Sequence, residues 1–415
     1  MANVSRKVLI VGGGPAGATA AYWMAQAGFH VTVAERSTDK FAYGQGVDVT
    51  GPAIEVVQKM GVYDQIKSKT TGEKGFTMLD DQGKPIATLG VSGNKKNEGF
   101  SLTQEVEIMR GDVTEILANK AKESKQVTYR YGCTVSELRQ SDTHVTAVFE
   151  DSGEAEDFAF VVGADGLGSR TRKATFPPEL REKCYKGQDQ CTAFFSLPHR
   201  PEDVPNSRVQ QSVRGRTVLI RPTSIKSHSR SSCYLIDTGE THALTKSRSI
   251  EEQKAMFAER FRDFPGETGR RVLEGMRDAK DFYCSQTAQI KLDKWSQGRV
   301  VLVGDAAYCP SPSTGMGTVL AILGSYVMAG EVAANPQDPE AAFARYEERL
   351  RPFVGDAQYI PLGGSLPKIG NPQTRFGIQI LRFVFWFIAW TGLWKLLGAK
   401  QGGSKFELPD YKFTR

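Results

Sequence analysis

Residues 8–11 are four consecutive apolar positions, three of them β-branched, and they run straight into Gly12-Gly13-Gly14-Pro15-Ala16-Gly17 and an alanine-rich stretch. This pattern predicts a buried parallel strand, a tight turn and a helix to about Ala27. Gly28 closes that helix, and alternating apolar residues over 30–34 predict a second strand ending at Glu35-Arg36. The unit is βαβ. Gly51-Pro52 opens a helix with Ile54, Val57 and Met60 on one face, and Asp112 is placed to cap another carrying Val113, Ile116 and Leu117.

From Lys74 to about Gly99, and again from Gln188 to about Thr238, short β-prone runs such as 191–197, 218–221 and 233–236 alternate with Gly, Pro and Ser. They predict a mostly antiparallel sheet inserted twice into an α/β domain. A helical pattern returns over 250–261, residues 299–303 read as another buried strand running into Gly304-Asp305, and a helix is expected from about Gly315 to Ala333. The expected fold class is therefore α/β. A Rossmann-like domain spans 1–73, 100–187 and 281–375, a substrate domain spans 74–99 and 188–280, and a C-terminal helical segment with its tail spans 376–415.

Composition narrows the possibilities. With 415 residues, 40% hydrophobic and 24% charged, the chain can bury cores too large for one small module. The net charge of +6 is scattered rather than gathered in one block, so no nucleic-acid partner is expected. Six cysteines show no CxxC spacing and lie near no His pair, so neither a metal cage nor a disulfide framework is expected. A cytoplasmic, reducing compartment is the expectation, and the N-terminal apolar run belongs to the fold rather than to a leader. Residues 376–397 are strongly apolar and aromatic, yet Arg382 and Lys395 bracket only 12 uncharged positions, short of the roughly 20 a membrane span needs.

The chemistry starts at Gly12-x-Gly14-x-x-Gly17. Gly12 permits the turn, Gly14 lets backbone approach a pyrophosphate, Gly17 lets helix pack on strand, and the helix that begins at Pro15 and Ala16 supplies N–H groups for the phosphates. Glu35 follows Gly17 by 18 residues at a strand end, where a carboxylate can accept from both ribose hydroxyls; Arg36 is beside it. The motif alone does not separate NAD from FAD.

Two further segments do. Val161-Val162-Gly163-Ala164-Asp165-Gly166-Leu167-Gly168-Ser169-Arg170-Thr171-Arg172 resembles the DGxxSxxR segment of flavoprotein aromatic hydroxylases. The run from Arg299 through Gly304-Asp305-Ala306-Ala307 to Pro312, Gly315 and Gly317 resembles that family's second FAD motif. Together with the glycine turn, in the family's order, they identify the chain as resembling class A FAD-dependent monooxygenases with the para-hydroxybenzoate hydroxylase fold. Tyr308, where many members carry His, and Leu-Pro-Asp-Tyr at 408–411 look closest to the subset of tetracycline-modifying and polyketide- or secondary-metabolite-tailoring hydroxylases.

The resemblance implies FAD as cofactor, with NADPH or NADH as a transient co-substrate and O2 as oxidant, acting through a flavin C4a-hydroperoxide on a bulky aromatic or polycyclic molecule. It places Asp305 on the ribityl hydroxyls and turns Gly315 and Gly317 toward the flavin edge. Asp165 and Gly166 come near the cofactor with Arg172 as brace, Gln45-Gly46 lie in the loop beside the flavin, and Arg110 near its phosphates. Arg214, Arg216, Arg221 and Tyr234, on predicted sheet strands, are candidate substrate contacts, and no side chain is assigned to catalysis. Residues 376–397 read chiefly as a long helix packed across both domains, with peripheral membrane contact as the alternative. Two other functions stay open: a membrane-associated epoxidase or flavin reductase of lipid-like substrates, and a lipid-binding protein that keeps the fold without flavin chemistry.

Overall fold

The computed structural model describes residues 6–38, 44–90, 106–224, 229–239, 249–360, 366–393 and 406–413. The first apolar run forms the strand Lys7–Val11 inside a six-stranded sheet. Its order is Ser296–Gln297, Val300–Leu302, Phe160–Gly163, Lys7–Val11, His30–Glu35, Val127–Tyr131. All neighbours are parallel except the first hairpin, and Val8 lies between Phe160 and Val31. Strands covered on both faces need unbroken apolar sequence, which is why 8–10 and 300–302 are fully buried.

The helix Pro15–Gln26 begins on a proline, whose fixed φ suits a first turn, and Gly28 leaves it at φ 84°. Beside it runs Gly317–Ala334, tied on by Ser325 Oγ donating to the Ala16 carbonyl at 2.8 Å. Among the described residues Gly317–Ala334 is the one helix long and apolar enough to cross a membrane, and it is 83% buried in the core.

The second large sheet has seven strands, ordered Tyr283–Ile290, Tyr185–Pro198, Arg230–Thr238, Arg216–Pro222, Ser207–Ser212, Gly75–Leu79, Pro85–Gly90. Only Ser207–Ser212 and Gly75–Leu79 pair in parallel. Tyr185–Pro198 runs across the boundary expected at 188, Tyr283–Ile290 belongs to this sheet although 281–375 was expected in the first domain, and 91–99 lie outside the described residues. Side chains alternate across this sheet. Phe195, Leu197, Val218 and Ile220 pack under the helices Ile250–Phe261 and Gly266–Asp278. On the opposite face Tyr283, Phe194, Tyr234 and Leu219 stand side by side in register.

Two expectations need correction. Asp112 does not cap its helix: Arg110–Lys122 starts directly off the strand Glu107–Met109, so Asp112 sits in the first turn and pairs with Lys69 at 2.9 Å. Nor does one long helix bridge the domains. The observed helix is Arg375–Thr391, packed on Pro85–Gly90 and Ser207–Ser212 of the seven-stranded sheet; 394–397 lie outside the described residues. The return to the first domain is made by residues 406–413, where Tyr411 donates to Glu331 at 2.6 Å and Phe413 lies 4.7 Å from the Trp23 ring.

Candidate active site

Gly12 turns at φ 103°, and a Cβ there would lie 2.5 Å from the Ala164 carbonyl oxygen. A Cβ at Gly17 would lie 1.8 Å from the Gly12 carbonyl oxygen, so both positions demand glycine. Gly14 differs, because a Cβ there would meet only the Arg110 guanidinium at 3.9 Å. Neither Pro15–Gln26 nor Gly317–Ala334 has a side-chain cap or an acidic residue in its first turn. Two adjacent helices thus begin with N–H groups that no side chain satisfies, a fit for a diphosphate.

Glu35 faces this turn. Its Oε2 accepts from Gly13 N at 2.7 Å and its Oε1 from Ser37 N at 2.7 Å. Each carboxylate oxygen retains a second acceptor site for a ribose hydroxyl. Arg36 is exposed beside it.

Asp165 is directed inward. It accepts from Ser169 Oγ at 2.5 Å, Thr171 N at 2.9 Å and Thr171 Oγ1 at 3.0 Å, fixing the start of the helix Arg170–Thr175. The backbone at Gly166, φ 75°, remains open, since a Cβ there would meet nothing within 4 Å. Arg172 is buried and donates to the Leu167 and Ala306 carbonyls, which locks this loop to the Asp305 segment.

Asp305 begins a short helix after Gly304, and its Oδ1 lies 3.8 Å from the point where Gly317 would carry a Cβ. Burial pushes its carboxyl above the ordinary range, and the Arg110 charge opposes that shift. Pro312–Thr314 is a single 3-10 turn that leaves Gly315 left-handed at φ 67°. Ser311, just before it, holds φ 83° without being glycine, and its hydroxyl donates to Gln188 Oε1 at 2.9 Å across to the seven-stranded sheet.

The loop 44–48 joins these parts. Gly46 N donates to the Tyr234 hydroxyl at 2.8 Å, and the Tyr283 hydroxyl donates to Gln45 Oε1. Phe194 stacks on Tyr283 at 4.8 Å and meets Tyr234 edge-on at 5.0 Å, so three aromatic rings stand against the loop. Behind them Arg221 grips Glu73 at 2.9 Å and Glu107 at 2.6 Å. Asp48, opposite Glu107 across a two-stranded ribbon, places Oδ2 3.3 Å from where Gly315 would carry a Cβ. One guanidinium cannot neutralise three carboxylates. Burial raises the Glu107 carboxyl despite its ion pair, and it raises Asp48 to about 6, with Arg221 opposing and Glu73 reinforcing.

A model of the FAD binding domain family matches residues 5–358. Monooxygenase CTB7 of Cercospora beticola is 47% identical over 421 residues, covering 100% of this chain and 99% of the relative. The chain belongs to this family of flavin-dependent monooxygenases. FAD-dependent monooxygenase asL6 of Sarocladium schorii is 32% identical, with 98% of each protein covered. The crystal structure of tetracycline destructase Tet(51) superposes with a TM-score of 0.78 at 28% identity, covering 98% of this chain and 100% of that one. The monooxygenase is therefore an FAD-dependent oxidoreductase.

The monooxygenase brings together Gly12, Gly14, Pro15, Ala16, Gly17 and Glu35 in one corner. Arg110, Asp305, Gly315 and Gly317 gather in another with Gln45 and Gly46. Arg214 and Arg216 are not brought there. Arg216 is buried on the opposite face of the sheet, where both arginines pair with Asp263. Arg221 and Tyr234 do reach the site but use their polar groups on protein partners. Tyr308 points into the core, 2.8 Å from the Tyr346 hydroxyl. Sequence reasoning missed Asp48, Glu73, Glu107, Phe194 and Tyr283; Phe194 and Tyr283 meet only through the register of two strands far apart in sequence, which no local pattern carries.

Proposed function

We propose that this monooxygenase uses NADPH or NADH and O2 to hydroxylate or epoxidise a bulky aromatic or polycyclic small molecule. The observation that carries this reading is the stack of Tyr283, Phe194 and Tyr234, hydrogen-bonded directly to the loop 44–48. Flat rings lining a site favour flat, electron-rich substrates. The name of the structural relative, a tetracycline destructase, supports a polycyclic substrate.

In this reading the N-termini of Pro15–Gln26 and Gly317–Ala334 hold the diphosphate of FAD, Glu35 the ribose and Asp305 the ribityl chain, with Arg110 compensating charge. Bound FAD supplies the redox chemistry, accepting two electrons from the nicotinamide and activating O2. The chain's own part is to orient and to exclude water. Gly317, at the uncapped start of its helix, would offer its N–H to negative charge on bound FAD, whereas the Gly315 N–H already donates to the Pro312 carbonyl at 3.2 Å, and the aromatic wall would position the substrate. Per turnover one oxygen atom enters the substrate, the other leaves as water, and one nicotinamide is oxidised. We place the enzyme in a reducing, cytoplasmic setting because its six cysteines are spread along the sequence without the paired spacing of a disulfide framework.

The test is an absorption spectrum of the purified protein, followed under nitrogen with NADPH or NADH and a panel of polycyclic phenols, then under labelled O2. The expected result is a two-band flavin spectrum that bleaches faster with substrate, and a product carrying label. Reduction by neither nucleotide with any aromatic present, or peroxide as the sole oxygen product, would overturn the reading.

A further inference from the structure

The helix Arg375–Thr391 presents its apolar side to the outside. Phe376, Ile380, Phe383, Phe387 and Trp390 are 72%, 48%, 61%, 40% and 71% exposed. At 100° per residue these five fall within an arc of about 80°. Val384 and Trp386, each 42% exposed, flank them on either side. Between Phe376 and Trp390 the exposed positions include a single polar side chain, Gln379. A surface helix of a globular protein carries the reverse polarity, so this face is arranged for a partner.

Rotation cannot hide it. The inner side is fixed to the sheet by Ile378, which is 4% exposed, by Phe385 against Phe76 at 5.6 Å, and by Arg382 donating to Asp81 at 2.7 Å and to the Gln211 carbonyl at 3.3 Å. Crossing a bilayer is also barred. Its 17 residues give about 25 Å against a hydrocarbon thickness of about 30 Å, and Arg382 sits mid-helix in an ion pair.

Charge identifies the partner. No Asp or Glu occurs between Asp356 and Glu407, whereas Lys or Arg stands at 368, 375, 382, 395, 400 and 405, six in all, as many as the net charge of the whole chain. Lys368 and Arg382 are paired internally, and Arg375 is exposed at the helix start. A second copy of the chain would bring this basic segment against itself. Anionic headgroups complement it, and the Trp386–Trp390 pair, stacked at 5.7 Å and 4°, suits the boundary between headgroups and acyl chains.

We propose that the outward face of Arg375–Thr391 lies flat on an anionic lipid bilayer, making the monooxygenase a peripheral membrane enzyme. The helix rests on strands of the seven-stranded sheet, so docking orients that sheet toward the lipid.

The experiment uses the full-length, FAD-loaded protein with vesicles of phosphatidylcholine alone or mixed with phosphatidylglycerol. Co-sedimentation with anionic vesicles is expected, weakened about tenfold or more by neutral lipid or high salt. Brominated lipid should quench tryptophan emission in wild type. The triple variant Phe383→Ser, Phe387→Ser, Trp390→Ser should bind at least about a hundredfold more weakly while keeping flavin content, melting temperature and turnover. No binding to any vesicle, or binding that the triple variant retains, overturns the proposal. So does a dimer that dissolves in the variant without any vesicle association, which would assign the face to a second copy. If the variant does not fold, the brominated-lipid result on wild type decides alone.

Discussion

Arg172 reaches from the helix Arg170–Thr175 to the carbonyl of Ala306, donating at 2.7 Å, while its other nitrogen donates at 2.6 Å to the carbonyl of Leu167 in the preceding loop. Arg172 is 4% exposed, and burial lowers its pKa. One side chain thus sets the spacing between two segments of the proposed cofactor site. Arg172→Ala leaves the buried Ala306 carbonyl and the half-buried Leu167 carbonyl without this donor, which should cost about 1–3 kcal/mol of stability. FAD affinity should fall with it, as Asp305 is no longer held against the Gly166 loop. Melting and flavin titration check this, and a variant that melts like wild type would show that the two loops hold their spacing without Arg172.

Asp305 offers the opposite balance of stability and binding. Burial disfavours its charge, so in the absence of FAD the carboxylate is an unfavourable group in the fold. Asp305→Ala should reduce FAD affinity by about 1.5–3 kcal/mol through lost charged hydrogen bonds. The apoprotein should melt no lower than wild type at pH 8, a trade seen where function strains a fold. Full flavin content with unchanged turnover would remove Asp305 from the site.

Asp48 gives a pH dependence with a defined sign. Its carboxyl titrates at about 6 in the folded chain, against an ordinary value of 3.8, with burial as the leading cause. Between those values the folded state binds more protons than the unfolded state, so stability from this group is complete below the lower value and is lost as pH rises through the higher one. The melting temperature of wild type minus that of Asp48→Asn should therefore fall from about pH 4 to about pH 6.5. A difference that stays flat or rises across that window would mean Arg221 governs Asp48 more strongly than burial does.

The glycine turn was legible because its constraints are local: Gly12 and Gly17 collide with backbone a few residues away or on the adjoining strand, and Glu35 is one βαβ unit distant. The Asp305-to-Gly317 run was legible for the same reason, since strand, turn and helix follow directly in sequence. The Arg221 cluster was not. Glu73, Glu107 and Asp48 come from three segments that meet only after the ribbon Gly46–Asp48 pairs with Glu107–Met109. Arg216 and Arg221 were both candidate substrate contacts, yet residues five apart on a strand project to opposite faces, and only Arg221 faces the site. The C-terminal helix misled for another reason. Apolar composition predicted burial across two domains, whereas the helix buries one side against the sheet and leaves its opposite face exposed.

Gly330 and Tyr411 connect the tail to the core. A Cβ at Gly330 would lie 2.0 Å from the Tyr411 ring, closer than any real contact, and Tyr411 donates to the buried Glu331 at 2.6 Å. Glu331 also receives Arg345 and Arg349, so it keeps partners if the tail is displaced. Gly330→Ala should cost about 1–3 kcal/mol by overpacking and loosen residues 406–413, read as faster amide exchange or proteolysis there. Tyr411→Ala removes the collision, so adding Gly330→Ala to it should cost almost nothing further. Additive losses in the double variant would show that Gly330 is required by its own helix rather than by the tail that rests on it.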